Sequence, residues 1–250
     1  MKTLVLVDGD ILAYKAAAAV ERETRWDDDT WSLTADLDAA KAAFTSLLDT
    51  ALDAIRGADI HHIVIAFSAG GPTFRHSLWP TYKAGRKRKP MVHKPLVEWV
   101  SGAGGYASVV KPGLEADDSL GILATHPANA KFHKVIVTGD KDLAQIPCDI
   151  LDITRGTLTR VTQEEGEQLF LVQTLSGDPT DNYPGCPGIG AKRAPAIAAG
   201  GWQAIVAAYE KAGLAEADAL LQARLARILR FDDYDHVNKE PLLWTPPTFA

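Results

Sequence analysis

Apolar residues in this chain recur in two rhythms. Short unbroken runs at residues 3–7 (TLVLV), 63–67 (IVIAF), 106–110 (YASVV), 134–140 (KVIVTGD) and 149–153 (DILDI) are rich in Val and Ile, and their length and bounding turn formers predict buried strands. Between them a spacing of three and four prevails. Leu37, Ala40, Phe44, Leu47, Leu48, Ala51, Leu52 and Ile55 line one face of a helix predicted over 36–56, with shorter helices over about 11–20, about 95–101 and from GLEADDSLGILA (113–124) onward. Residues 21–35 are polar and acidic and read as a loop, and GTLTRVT (156–162) reads as a turn with a short strand. Alternating strands and helices predict an α/β fold with a mainly parallel sheet covered on both faces. In such sheets functional groups gather beyond the carboxyl ends of the strands. After residue 162 the pattern turns helical, interrupted by GDPTDNYPGCPGIGAKRA (177–194), so the chain divides into a core over 1–162 and a helical region over 163–250.

Composition adds limits. An apolar fraction of 46% over 250 residues supports a substantial core, while no apolar run is long enough to cross a bilayer. The opening MKTLVLVDGD stops being apolar at Asp8, which is no secretory signal, and Cys148 and Cys186 form neither a disulfide framework nor a zinc spacing. A reducing cytoplasm, with no membrane partner and no obligate protein partner evident, is the expectation. A net charge of −6 weighs against nucleic acid, but KAGRKRKPMVHK (83–94) holds six Lys or Arg in twelve residues and no acid, and such a stripe supplies phosphate affinity whatever the total charge.

The acidic residues change the picture most. Asp8 leaves the first strand, Glu115, Asp117 and Asp118 open a helix, Asp140 and Asp142 leave the fourth strand, and Asp178 and Asp181 open the Gly/Pro-rich segment. Singly, each reads as a helix cap, a dipole partner or a turn residue. Together, in a parallel sheet, they converge on one edge. Two unpaired carboxylates about 4 Å apart repel by roughly 4 kcal/mol at an effective dielectric near 20, so such a cleft needs cations. Oxygen ligands without a His or Cys cluster select Mg²⁺ or Mn²⁺, and two such ions suit phosphodiester hydrolysis.

Two further segments suit a nucleic acid. PGCPGIGAKRA has the composition of a helix–hairpin–helix, in which Gly188, Ile189 and Gly190 would offer backbone N–H groups to phosphate, with Lys192 and Arg193 adding charge. In FRHSLWPTYKAGRKRKP (74–90) we assign Arg75, Tyr82, Lys83, Arg86, Lys87 and Arg88 as DNA contacts. There Tyr82 either stacks on a base or packs at a hinge, and Lys83 and Arg86 reach the scissile phosphate as catalytic cations. Nothing is suited to reading base edges, so shape rather than sequence recognition is expected.

The motifs VDGD, FR…PTYKAGR, LEADD, TGDKDL and GDPTDNYPGCPGIGAKRA, in this order, resemble the 5′-nuclease family of flap endonucleases and polymerase-associated 5′→3′ exonucleases. Within it they are most similar to the exonucleases of short-tailed bacteriophages, which ARILRFDDYDHVNKEPLLW (226–244) also resembles. The resemblance implies a PIN-like sheet, a helical arch over about 72–105 and a helix-three-turn-helix over about 174–200 that grips duplex DNA, with a K⁺ in its hairpin. It also implies a first metal site of Asp8, Glu115, Asp117 and Asp118, and a second of Asp140, Asp142, Asp178 and Asp181. The implied substrates are duplexes with 5′ ends, nicks or flaps, and RNA–DNA hybrids, cleaved to leave a 5′-phosphate during phage replication. One departure stands out: the family often has Asp directly after the second strand's Phe, whereas Phe67 is followed here by Ser68, and Asp10 is either a helix cap or a compensating ligand. Two rival readings are a haloacid-dehalogenase-type phosphatase with Asp8 as nucleophile, suggested by VDGDIL, and a non-catalytic structure-specific DNA-binding module.

Overall fold

The structure, a computed structural model, describes residues 1–247. The expected helical region to 250 therefore ends three residues outside the described ones. The chain runs β1 (Lys2–Asp8), α1 (Gly9–Val20), β2 (Arg22–Arg25), β3 (Trp31–Thr34), α2 (Leu37–Ala54), β4 (Asp59–Phe67), α3 (Phe74–Leu78), α4 (His93–Ser101), β5 (Ser108–Val110) and α5 (Ala116–Thr125). It continues through β6 (His133–Thr138), β7 (Asp149–Asp152), β8 (Thr157–Arg160), α6 (Gln163–Ser176), α7 (Ala194–Ala198), α8 (Gly201–Lys211), α9 (Glu216–Ala226), β9 (Tyr234–Asp235) and β10 (Glu240–Pro241).

The sheet order is β5-β4-β1-β6-β7-β8, parallel except for β8, which returns antiparallel along β7. Period-two alternation explains why two layers cover it. Val5 and Val7 point to one face, against α1, α2 and α4, while Leu4 and Leu6 point to the other, against α5. Burying a side chain such as Phe44 contributes roughly 2–3 kcal/mol. The chain leaves β1 for β4 on one side and later returns as β6 on the other, which opens a crevice beyond the end of β1.

Differences from expectation are local. The stretch 21–35 is not a plain loop: β2 and β3 pair as an antiparallel hairpin. Its strands are mostly exposed, so no one-sided apolar alternation could reveal them. Helix α1 starts two residues early because Asp8, at the strand exit, accepts the Ile11 N–H at 3.1 Å and caps it. Gly9 makes this tight exit feasible, since a Cβ there would meet Phe67 Cε1 at 2.5 Å. The expected arch contains only α3 and α4, and between them lie turns at 80–85 and an irregular basic stretch at 86–90.

Helices α6 to α9 enclose a second core around Phe170, Trp202 and Tyr209. They are bound to the sheet half through Gln145, whose Nε2 donates to Gln173 Oε1 at 2.6 Å and to Ala226 O at 2.8 Å. Between α6 and α7 lies the Gly/Pro-rich segment.

Candidate active site

The crevice at the end of β1 is built from strand exits. Asp8 is buried; besides the Ile11 amide it accepts the Thr138 hydroxyl at 2.8 Å, and Thr138 Oγ1 in turn accepts the Asp140 N–H at 2.9 Å. The exits of β1 and β6 are thus laced together by one hydroxyl. Asp140 Oδ1 accepts the Asp142 N–H at 2.9 Å, capping the short helical turn that carries Asp142. Asp117 comes from the first turn of α5, whose start is held by Ser68 Oγ accepting the Ala116 N–H at 3.0 Å.

Burial and mutual charge dominate here. Burial pushes Asp8 up to about 7, with hydrogen bonds from Thr138 and Ile11 opposing and the charges of Asp10 and Asp140 adding. Burial also holds Asp117 well above the usual carboxylate range, reinforced by Asp8 and Asp140. Asp142 rises to about 7 through burial and then Asp140, and its Oδ1 is buried without a hydrogen-bond partner. Carboxylates whose ionisation is opposed first by burial and then by one another, with an orphaned oxygen among them, fit a hard divalent cation.

Asp178 and Asp181 reach the same crevice on a turn closed by the Asp178–Tyr183 backbone pair. Gly177 and Gly185 bracket it, both at positive φ, and a Cβ on Gly185 would lie 2.3 Å from the Gly177 nitrogen. The resulting cleft, of about 390 Å³, is lined by Asp140, Asp142, Asp178 and Asp181 together with Arg86. Among the described residues no three acidic, His or Cys side chains are drawn into a closed ligand set. The chain's own cations stand among them instead. Lys83 Nζ is 2.6 Å from Glu115 Oε1 and 3.5 Å from Asp181 Oδ2, and Arg86 Nη2 is 2.6 Å from Asp181 Oδ1. Burial would raise Asp181, but the charges of Lys83 and Arg86 outweigh it and hold this carboxyl below its usual value.

Several expected roles need correction. Arg75 is no DNA contact: it is 2% exposed, and its Nη1 and Nη2 donate to Asp118 at 2.7 and 2.8 Å while Nε donates to Leu225 O at 3.0 Å. Asp118 is correspondingly no metal ligand, because its oxygens are taken by Arg75 and by the Glu115 and Leu229 amides. A buried guanidinium left without this carboxylate would cost about 3–5 kcal/mol. Tyr82 does not present a stacking face; it is 3% exposed, and its hydroxyl lies 3.1 Å from Glu115 Oε2 and 2.9 Å from Asp181 Oδ2. Ile189 is buried and its N–H closes a turn onto Cys186 O, so it offers no free donor, whereas Gly188, Gly190, Lys192 and Arg193 are exposed. Arg88 grips Glu21 at 2.7 Å and Lys87 is exposed. Asp10 is not the cap; its Oδ2 accepts the Ser68 N–H at 3.2 Å.

Thr138, Glu21 and Asn182 were not singled out in the sequence. Asn182 Nδ2 donates to Thr81 O at 2.7 Å, fastening the arch to the Asp181 turn. Nothing in local spacing announces such a long-range bond.

Residues 3–170 match the family model described as the 5′-3′ exonuclease, N-terminal resolvase-like domain. The exodeoxyribonuclease of Enterobacteria phage T3 is 31% identical over 98% of this chain and 93% of its own length, and the exonuclease of Escherichia phage T7 is 30% identical over 98% and 94%. DNA polymerase I of Mycobacterium bovis is 33% identical over 98% of this chain, which corresponds to 28% of that protein. Among solved structures, the T5 5′-exonuclease with bound zinc shares the fold at a TM-score of 0.65 and 17% identity, covering 90% of this chain and 89% of that one. This likeness extends to the PIN-like sheet and the helical C-terminal region. The phosphatase reading of VDGDIL and the non-catalytic reading are both set aside by these matches: the chain belongs to the 5′→3′ exonuclease family.

Proposed function

We propose that this 5′→3′ exonuclease hydrolyses DNA phosphodiesters at 5′ ends, nicks and 5′ flaps with two Mg²⁺ or Mn²⁺ ions, and accepts RNA–DNA hybrids because it grips shape rather than sequence. The observation that carries this reading is the group of buried Asp8 and half-buried Asp117 and Asp142, whose protonation is raised by desolvation and neighbouring carboxylates and which includes an orphaned oxygen. Asp8, Glu115 and Asp117 would hold one ion, and Asp140, Asp142, Asp178 and Asp181 the other. When bound, the ions supply an activated water and charge neutralisation at the scissile phosphate.

The chain's own residues do the rest. Lys83 and Arg86, poised between Glu115 and Asp181, would transfer part of their hydrogen bonding to the phosphate and stabilise its developing charge. Tyr82, with its hydroxyl between Glu115 and Asp181, orients both carboxylates. Gly188, Gly190, Lys192 and Arg193, with a K⁺ at this hairpin, would hold the duplex backbone away from the cleft. A bound complex of DNA and metal ions with the T5 flap endonuclease, whose TM-score to this chain is 0.61, supports DNA as substrate. The free, buried thiols of Cys148 and Cys186 suit a cytoplasmic setting, that of the host for a phage protein.

The test is incubation of end-labelled nicked, blunt and 5′-flapped duplexes with Mg²⁺ or with excess chelator. Cleavage from the 5′ side only with metal is the expected result. Full activity in chelator would refute the proposal.

A further inference from the structure

Next to the metal cleft, and sharing Ile11, Arg86 and Gly139 with it, is a second cavity of about 330 Å³. Its remaining walls are Lys15, Lys89, His93, Asp10 and Tyr14. Its charge balance is unlike that of the cleft: Lys15 and Lys89 face the single carboxylate Asp10, with Arg86, paired to Asp181, on the shared wall. Among the described residues Lys89 has no ion-pair partner, and Lys15 Nζ meets only the neutral Thr154 hydroxyl at 2.9 Å. The single carboxylate, Asp10, has one oxygen turned to the Ser68 amide. His93 is 4% exposed and its Nε2 has no hydrogen-bond partner, although a buried polar nitrogen normally finds one. His93 also begins the nine-residue helix α4, whose N-terminal dipole favours an anion.

We propose that this cavity binds the terminal 5′-phosphate of the strand being degraded, so that the protein discriminates 5′-phosphorylated from 5′-hydroxyl ends. This rests on the exonuclease reading above, in which the scissile phosphate lies in the adjoining cleft. A terminal nucleotide then spans the wall formed by Ile11, Arg86 and Gly139, with its 5′ group in the cationic cavity. A terminal monoester carries nearly two charges and three acceptor oxygens, so Lys15 and Lys89 reward it above an internal diester. Cleavage on the 5′ side of the remaining strand leaves a new 5′-phosphate, and each turnover regenerates the recognised end.

The experiment compares duplexes identical except for a 5′-phosphate or 5′-hydroxyl. It measures release of the first nucleotide with Mg²⁺, and binding by fluorescence anisotropy in chelator. The wild-type protein is expected to favour the phosphate by about tenfold in both readouts, as one or two charge-assisted hydrogen bonds imply. In the Lys15→Gln/Lys89→Gln double variant the ratio should fall to near one. Both substitutions are at the surface of the cavity, and thermal unfolding verifies that the variant folds. A wild-type ratio near one, or an unchanged ratio in the double variant, overturns the phosphate site. Metal-dependent cleavage of both duplexes at equal rates would do so while leaving the exonuclease reading intact; absence of any cleavage would strike that reading instead.

Discussion

Asn182 and Thr81 are joined by a 2.7 Å hydrogen bond from side-chain amide to main-chain carbonyl, across a hundred residues of sequence. Around it, Lys83 N–H donates to Asp181 O at 2.9 Å and Trp79 Nε1 donates to Asn182 O at 2.8 Å. Lys83 and Asn182 both have φ of 58°, a conformation that Asn tolerates better than most residues. The proposed catalytic cation and the proposed metal ligand Asp181 are therefore placed by one shared seam. Replacing Asn182 separates its two contributions. Asn182→Gly keeps the left-handed backbone but loses the bond, at a cost of about 1 kcal/mol; Asn182→Ala adds backbone strain of about 1 kcal/mol more. Thermal unfolding should rank wild type above Gly above Ala, with cleavage rates in the same order. A Gly variant equal to wild type in both would dismiss the seam.

Arg75 is expected to matter for folding rather than for DNA. Arg75→Met leaves Asp118 buried and unpaired, which costs about 3–5 kcal/mol, and Arg75→Lys should rescue poorly because it cannot bond bidentately. Denaturant unfolding measures this. If Arg75→Met instead unfolds like wild type while losing duplex affinity, the guanidinium faces DNA after all.

Asp140→Asn or Asp117→Asn should abolish cleavage while leaving duplex binding largely intact. Loss of one proposed ligand removes several kcal/mol of transition-state stabilisation, about a thousandfold or more in rate. Single-turnover kinetics and gel-shift titration separate the two effects. Equal losses in both assays would mean that these groups hold the DNA or the fold.

The raised carboxyls make the metal-free protein sensitive to pH. Asp8 and Asp142 bind protons up to about 7 when folded, against an ordinary value of 3.8. Between these limits the folded state carries more protons than the unfolded chain, so their contribution to stability falls as pH rises from about 4 to about 7 and stays low above. Divalent ions bind the ionised form. Scanning calorimetry in chelator should show a lower Tm at pH 8 than at pH 5, and added Mg²⁺ should raise Tm more at pH 8. An equal Mg²⁺ shift at both values would contradict the assignment.

Much of the architecture was legible because it obeys short-range periodicity. The Val/Ile runs of β1, β4 and β6 and the three-four spacing of α2 follow from which faces must be dry, whatever the rest of the chain does. The hairpin β2–β3 escaped because both its faces are wet and its pairing carries no alternation. Asp118 and Asp117 illustrate the same limit within the site. Adjacent in sequence and identical in chemistry, they point in different directions from the first turn of α5, one into Arg75 and the other toward Asp8 and Asp140.

The sequence alone determined the strand–helix order, the gathering of acidic groups at strand exits and the family motifs, since each depends on spacing along a single element. Tertiary structure alone decided which carboxylates face one another and which pair with arginine, why Tyr82 lies inward and how Thr81 meets Asn182. Those outcomes depend on what each buried charge or donor finds opposite it, and the partner is supplied by residues tens to a hundred positions away.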